Sequence, residues 1–281
     1  MRGLIKKGVI LLTFVCLFNW STFFLKGRLV VQAISQKAVG FVLEKQTEDY
    51  QVLASEHFVL KYTKRDQELA PLVLQLAEDY YGQIGELLGL PRPKEAPLLV
   101  LYPDLETLRA GMGWGEKSAV GVYWAGSIRL LSPRVWSGAD EMVAFAREGP
   151  LAHELTHYYV DLVTKGNYPR WLSEGLAQVV EEKITGFTLP RVKGKIYALA
   201  ELKRLFDQPG KEYLAYGQAR DAVNYLWTSY GIDKMTVLLT RLGEGETLKQ
   251  ALKGTYGLSR KQLEHELGWG RSRDEVLFTD E

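Results

Sequence analysis

The rhythm of apolar positions changes twice along this chain. Residues 8–25 read GVILLTFVCLFNWSTFFL, an apolar run of 18 residues without a charge. Residues 57–63 (HFVLKYT) are β-rich and half-alternating, which predicts a strand. Asp66 is placed to cap a helix reaching about Leu88, with Pro71 in its first turn and Leu72, Leu74, Ala77, Tyr80, Tyr81, Ile84 and Leu87 on one face. Residues 98–102 form a short apolar run that predicts a buried strand, and 105–112 predict a short helix. Residues 121–124 and 128–131 flank Ala125-Gly126-Ser127, a hairpin signal. From 139 onward the period is helical, with segments near 139–148, 150–164, 170–183, 196–207, 217–230, 233–242, 246–253 and 259–267.

Strands and helices first, then helices alone, predict an α+β fold. Its N-terminal lobe carries a mixed β-sheet and its C-terminal lobe is helical. No internal repeat and no convincing linker divides the body. The expected organisation is a signal anchor or signal peptide over 1–35, a polar connector over 36–55, a folded domain over 56–270 and a polar tail over 271–281.

Composition narrows the function classes. Apolar residues make up 46% and charged residues 25% of the 281, an ordinary globular balance. The one cysteine, Cys16, lies in the apolar run, so an internal disulfide, a Cys-x-x-Cys pair and a zinc ribbon are all excluded. The net charge of +1 hides an asymmetry: Arg2, Lys6, Lys7, Lys26 and Arg28 sit in the first 28 residues, which hold no acid. The rest carries 30 basic against 34 acidic residues, a balance of −4. A weakly acidic body lacks the basic face that nucleic acid requires. Basic charge before the 8–25 run predicts a cytoplasmic N-terminus and a body outside. An uncleaved membrane anchor is favoured over a cleaved signal, because Lys26 and Arg28 intervene before the small residues at Val31-Gln32-Ala33. The expected location is therefore membrane-anchored and extracytoplasmic, or secreted if the segment is removed.

Of only four histidines (His57, His153, His157 and His265), two stand four residues apart in His153-Glu154-Leu155-Thr156-His157. On a helix, positions i and i+4 share a face, so both imidazoles can address one metal ion, with Glu154 beside the water it holds. Pro150 suits the first turn of that helix. A catalytic zinc needs a third protein ligand. Glu174 stands among Trp171, Leu172, Leu176 and Ala177, where a carboxylate seldom belongs without a partner. Gly175 beside it would allow two helices to approach closely around the ion. Asp161, one turn after His157, is a candidate to orient a ligand imidazole from behind. Arg170, Gln178 and Glu181 read as ordinary surface residues, and His57 as an edge-strand residue.

The His153-Glu154-Leu155-x-His157 motif, followed by Trp171-Leu172-Ser173-Glu174-Gly175-Leu176-Ala177, resembles the gluzincin zinc metallopeptidases. These include thermolysin and aminopeptidase-N-type enzymes, and the bacterial peptidase MA-like domain family is the most similar group. The resemblance is sharp over 151–182. It continues weakly through 213–218, 225–226, 230–231, 256–259 and 263–264, and includes the strand at 57–62. It implies a zincin-like fold and Zn2+ held by His153, His157 and Glu174. It further implies hydrolysis of peptide bonds in a peptide or protein substrate, with Glu154 as the base that activates water. An oxyanion donor from the helical lobe is implied as well; Tyr216 and Tyr213 are the candidates, Tyr216 the preferred one. By the same analogy, Ile128, Arg129 and Leu130 form the cleft rim that pairs with extended substrate. The Gly-x-Met-Glu-Asn segment that recognises a free N-terminus is absent, which points to an endopeptidase. A non-catalytic surface binding protein on the same scaffold is the alternative. An intramembrane protease is excluded, because Arg147, Glu148 and Asp161 flank the motif.

Overall fold

Alternation in the first half of the chain produces five short strands: β1 (Gln51–Ala54), β2 (Val59–Tyr62), β3 (Leu98–Tyr102), β4 (Gly121–Trp124) and β5 (Ser127–Leu131). The computed structural model describes residue 37 and residues 39–112, 119–137 and 140–269. The run at 8–25 and the tail at 271–281 lie outside the described residues, and no helix among the described residues is long and apolar enough to cross a membrane. The sheet order is β1-β2-β3-β5-β4, with β2, β3 and β5 mutually parallel and both outer strands antiparallel to their neighbours. The expected mixed sheet is therefore present.

The helices are α1 (39–46), α2 (Ala70–Leu88), α3 (Leu105–Met112), α4 (Pro133–Trp136), α5 (Glu141–Glu148), α6 (Leu151–Thr164) and α7 (Arg170–Thr185). They continue with α8 (Leu199–Leu205), α9 (Glu212–Tyr230), α10 (Ile232–Gly243), α11 (Leu248–Tyr256) and α12 (Arg260–Glu266). Helix α2 starts three residues later than the Asp66 cap implied. Asp66 instead sits fully buried in a 3-10 turn, accepting a 2.6 Å hydrogen bond from Ser132 Oγ. Helix α9 starts before Gly217, so Tyr213 and Tyr216 both ride on it. A glycine inside a helix costs about 1 kcal/mol. The burial of Ala215, Gln218, Ala219, Ala222 and Val223 outweighs that.

Strand β3 is buried on both faces, as parallel strands are. Leu99 and Leu101 join Leu60, Ile128 and Leu130 in the main core with α2 and α6. Val100, Tyr102 and Leu131 face the other way and pack with Leu43 of α1 and Leu108 of α3. This second cluster corrects the expectation of a polar connector over 36–55. Leu43 is fully buried there, and Lys61 Nζ of β2 reaches Glu44 Oε2 at 2.7 Å and Thr47 Oγ1 at 3.0 Å. Helix α1 and strand β1 therefore belong to the folded body.

Strand β5 was expected to be the cleft rim, and the sheet order overturns this. Ile128, Arg129 and Leu130 pair with Leu99, Val100 and Leu101 on one side and with Tyr123, Val122 and Gly121 on the other. Both hydrogen-bonding edges are occupied, so no substrate strand can be added. Arg129 faces the back of the sheet, where its Nη1 donates to the Gly111 carbonyl at 2.6 Å. Among the described residues, the strand of this hairpin with an unpaired edge is β4. Ala125 and Gly126, at φ 48° and 82°, form the two-residue turn that returns the chain from β4 into β5.

Helix α7 packs extensively on α9 and on α6. Gly175 makes the first contact possible. A Cβ there would lie 2.3 Å from the Ala219 carbonyl oxygen and 2.6 Å from Val223 Cγ2. The close approach is thus to α9, not to the histidine helix. Because one obstacle is backbone, Gly175→Ala is expected to destabilise the fold by about 1–3 kcal/mol. Urea denaturation followed by circular dichroism checks this, and an unchanged midpoint would show that α7 and α9 separate without loss.

Candidate metal centre

Pro150 ends the loop before α6, and Leu151, Leu155, Tyr159 and Val160 bury one side of that helix. Its opposite side presents His153 and His157, whose ring centroids stand 4.8 Å apart. Pro169 opens α7 in the same way, and Trp171, Leu172, Leu176 and Val180 bury that helix. Glu174 rides on α7 toward the two rings, only 8% exposed. Its Oε2 lies 3.5 Å from Nε2 of His153 and 3.5 Å from Nε2 of His157. One ligand atom from each of the three residues falls within 4.8 Å of the others. Atoms bound about 2.1 Å from one tetrahedral ion are separated by roughly 3.4 Å. Two imidazole nitrogens and one carboxylate oxygen at this spacing fit a divalent cation, and zinc suits that donor set.

Each ligand is held from behind. Nδ1 of His153 is 3.2 Å from Glu181 Oε2, and Nδ1 of His157 is 2.7 Å from Ser173 Oγ. An ionised carboxylate only accepts, so Glu181 places the proton on Nδ1 and leaves the Nε2 lone pair of His153 for a metal. Arg170 Nε donates to Glu174 Oε1 at 3.0 Å. Gln178 Nε2 donates to the carbonyl oxygens of Glu174 and Tyr216, both at 3.0 Å, which ties α7 to α9.

Glu154 is buried beside the histidines, and its Oε2 accepts a 2.7 Å hydrogen bond from the Tyr123 amide. The Leu131 N–H to Val120 carbonyl bond, 2.8 Å, sets the ladder so that the amides of Gly121 and Tyr123 turn outward from β5. The candidate base therefore lies directly against the free edge of β4. Burial pushes the Glu154 carboxyl up, and the neighbouring imidazoles only partly offset it. Burial acts the same way on Glu174, but hydrogen bonds from His153 and His157 prevail and hold it well below the usual carboxylate range. Burial lowers His153, yet Glu181 and Glu174 outweigh it and hold the imidazole well above its ordinary value.

Of the two tyrosine candidates, Tyr213 is half exposed, whereas Tyr216 feels the charges of Glu174 and Glu154. Burial, then Glu174, raises the Tyr216 hydroxyl, so it remains a proton donor at neutral pH. Asp161 does not take the place expected of it. It accepts a 2.8 Å hydrogen bond from the Tyr123 hydroxyl, and its charge helps to raise the Tyr168 hydroxyl. The imidazole nitrogens are met by Glu181, Ser173 and Glu174 instead.

Sequence reasoning passed over Arg170, Ser173, Gln178 and Glu181 as supports of the site. A signal was available. Residues 170, 174, 178 and 181 recur every three to four positions, a polar stripe along a helix that is otherwise apolar. Glu181→Gln is expected to weaken divalent-cation affinity by about 10- to 100-fold, with the circular-dichroism spectrum unchanged. Competition against a chromogenic chelator measures it, and parental affinity would remove Glu181 from the site.

The sequence model of the Peptidase MA superfamily matches residues 124–270, from the end of β4 through the last described helix. No curated protein matches the chain. The match spans more than half of the sequence and contains His153, Glu154, His157 and Glu174. With the three donor atoms converged and a carboxylate at their side, the chain belongs to the Peptidase MA superfamily.

Proposed function

We propose that this protein is a zinc-dependent endopeptidase anchored in a membrane with its folded body outside. One observation carries the peptidase chemistry: Glu154 sits between the His153, His157 and Glu174 cluster and the free edge of β4. Zinc, when bound, lowers the pKa of its water to about 7 and polarises a carbonyl. Glu154 takes the proton from the attacking water and returns it to the leaving amine. Burial suits it to that exchange by narrowing the gap between its affinity for a proton and that of water activated by the metal. The outward amide of Gly121 and the outward carbonyls of Gly121 and Tyr123 can align an extended peptide as one more strand, while the Tyr123 amide stays on Glu154. Tyr216 donates a hydrogen bond to the oxyanion that develops on the attacked carbonyl. The preference for internal bonds rests on the missing segment for free N-termini.

A base already in place beside a complete donor set favours catalysis over a non-catalytic binding scaffold. The expected result with a denatured protein substrate is zinc-restored, chelator-sensitive cleavage. Glu154→Gln should lower the rate by about 10²- to 10⁴-fold, while zinc uptake persists. Its amide oxygen can still accept from the Tyr123 N–H. Activity that survives both chelator and Glu154→Gln would sink the proposal. Stoichiometric zinc without turnover on any substrate would favour the binding protein.

The membrane reading rests on the charge-free run at 8–25 and on the basic residues that precede it. The full chain should resist carbonate extraction from membranes, and protease added outside should digest the body but not residues 1–7. Complete release by carbonate would remove the anchor.

A further inference from the structure

Arg170 is the first residue of α7, one helical turn before Glu174. Its guanidinium, about a third exposed, has several partners. Nε donates to Glu174 Oε1 at 3.0 Å, and Nη1 donates to Asp207 Oδ2 at 2.9 Å. The planar group lies over the Phe206 ring, 4.7 Å from its centroid, and its charge is felt by the Tyr216 hydroxyl. The Phe206 ring in turn meets the Tyr216 ring edge-on, with centroids 5.1 Å apart. An ordinary solvated i,i+4 pair has none of this enclosure and contributes little.

The two oxygens of Glu174 are thereby divided. Oε1 is taken by Arg170, while Oε2 lies 3.5 Å from each histidine Nε2. A carboxylate held this way offers a metal one oxygen only. The same guanidinium packs on the Phe206 ring that meets Tyr216, which comes from a different helix. Two groups that must keep a constant spacing across the site are thus both set by the guanidinium, Glu174 by a hydrogen bond and Tyr216 through the Phe206 ring. A lysine, a point charge on a flexible stem, cannot hold both.

We propose that Arg170 is a positioning residue that orients Glu174 and Tyr216 together, with Asp207 and Phe206 holding the guanidinium in its plane. This rests on the zinc-peptidase reading of the same site. The role is distinct from a purely structural ion pair, because it predicts changes at the metal itself.

The test uses the full chain with Arg170→Met, Arg170→Lys, Asp207→Asn and Tyr216→Phe. Zinc affinity is measured by chelator competition, and site geometry by the visible absorption of the cobalt-substituted protein. Arg170→Met is expected to lose about 10- to 100-fold in zinc affinity and to shift the cobalt bands. Arg170→Lys should recover thermal stability but not the parental cobalt spectrum. At saturating zinc, Arg170→Met should lower kcat by about tenfold or more, with KM changed by less than about threefold, the signature of an interaction made in the transition state. Adding Tyr216→Phe to Arg170→Met should cost less than the product of the two single losses, since both act through one unit. Parental zinc affinity and cobalt bands in Arg170→Met would overturn the role of Arg170. If Arg170→Met does not fold, Asp207→Asn decides: shifted cobalt bands support the proposal and unshifted bands overturn it. A parental chain that takes up no zinc overturns the metallopeptidase reading itself, an outcome separate from a loaded parent beside an unchanged variant.

Discussion

Burial of one carboxylate organises this structure. Glu174 lies on a helix whose neighbouring positions, Trp171, Leu172, Leu176 and Ala177, are all core. An ionised carboxyl in such a place is tolerated only when paired and hydrogen-bonded. The chain supplies three partners from two helices: Arg170 on its own, and His153 and His157 across the gap. That requirement fixes the spacing of α6 and α7, and with it the distance between the two imidazoles and the carboxylate. Tight packing behind each helix keeps the spacing from relaxing. Gly175 lets α7 settle against the backbone of α9, and Gly243 does the same for α10 against the Val163 carbonyl of α6. A Cβ at either glycine would lie closer to a carbonyl oxygen than any real contact allows.

The sheet has a single task in this arrangement, which is to bring one unpaired strand edge to the base. β4 lies against the start of α6 because Gly121 has no side chain. A Cβ there would stand 2.5 Å from Pro150 Cγ and 3.2 Å from Glu154 Cγ. Tyr123 then meets α6 twice, through its amide at Glu154 and through its hydroxyl at Asp161. The strand that would align a peptide is therefore joined directly to the group that would activate water.

What could be read from the sequence follows from how local each signal is. His153, Glu154 and His157 declare themselves because a helical period of four residues places them on one face whatever the tertiary context. Glu174 was legible because a charge in an apolar helix demands an explanation. The helical second half and the mixed sheet followed from hydrophobic period alone. Strand order could not follow from period. Residues 121–124 and 128–131 are adjacent, similar in length and both apolar, and only long-range pairing of β5 with β3 decides which of them is left at the edge. Asp161 was assigned by helix geometry to a partner on its own helix, whereas Tyr123 reaches it from elsewhere in the chain. The supports on α7 were missed for a related reason. Arg, Gln and Glu are surface residues by default, and that default fails when the other helix delivers imidazoles to the same stripe.

The charges of the site close the argument for a cation. Glu154, Glu174 and Glu181 gather around His153 and His157, and Arg170 is the guanidinium that meets Glu174. Carboxylates this close repel one another, and burial removes the water that would screen them. Part of the imbalance is relieved by the imidazoles, which is why the carboxylates hold His153 so far above its usual value. A proton on a ligand nitrogen and a metal ion on the same nitrogen are alternatives, since each uses the one lone pair. The arrangement that stabilises a proton at Nε2 is the arrangement that attracts a divalent cation more strongly, because it carries twice the charge into the same negative field. Glu181 serves both states, accepting from Nδ1 whether the other nitrogen holds a proton or a metal. The requirement to bury Glu174 and the capacity to bind a metal thus have the same structural origin.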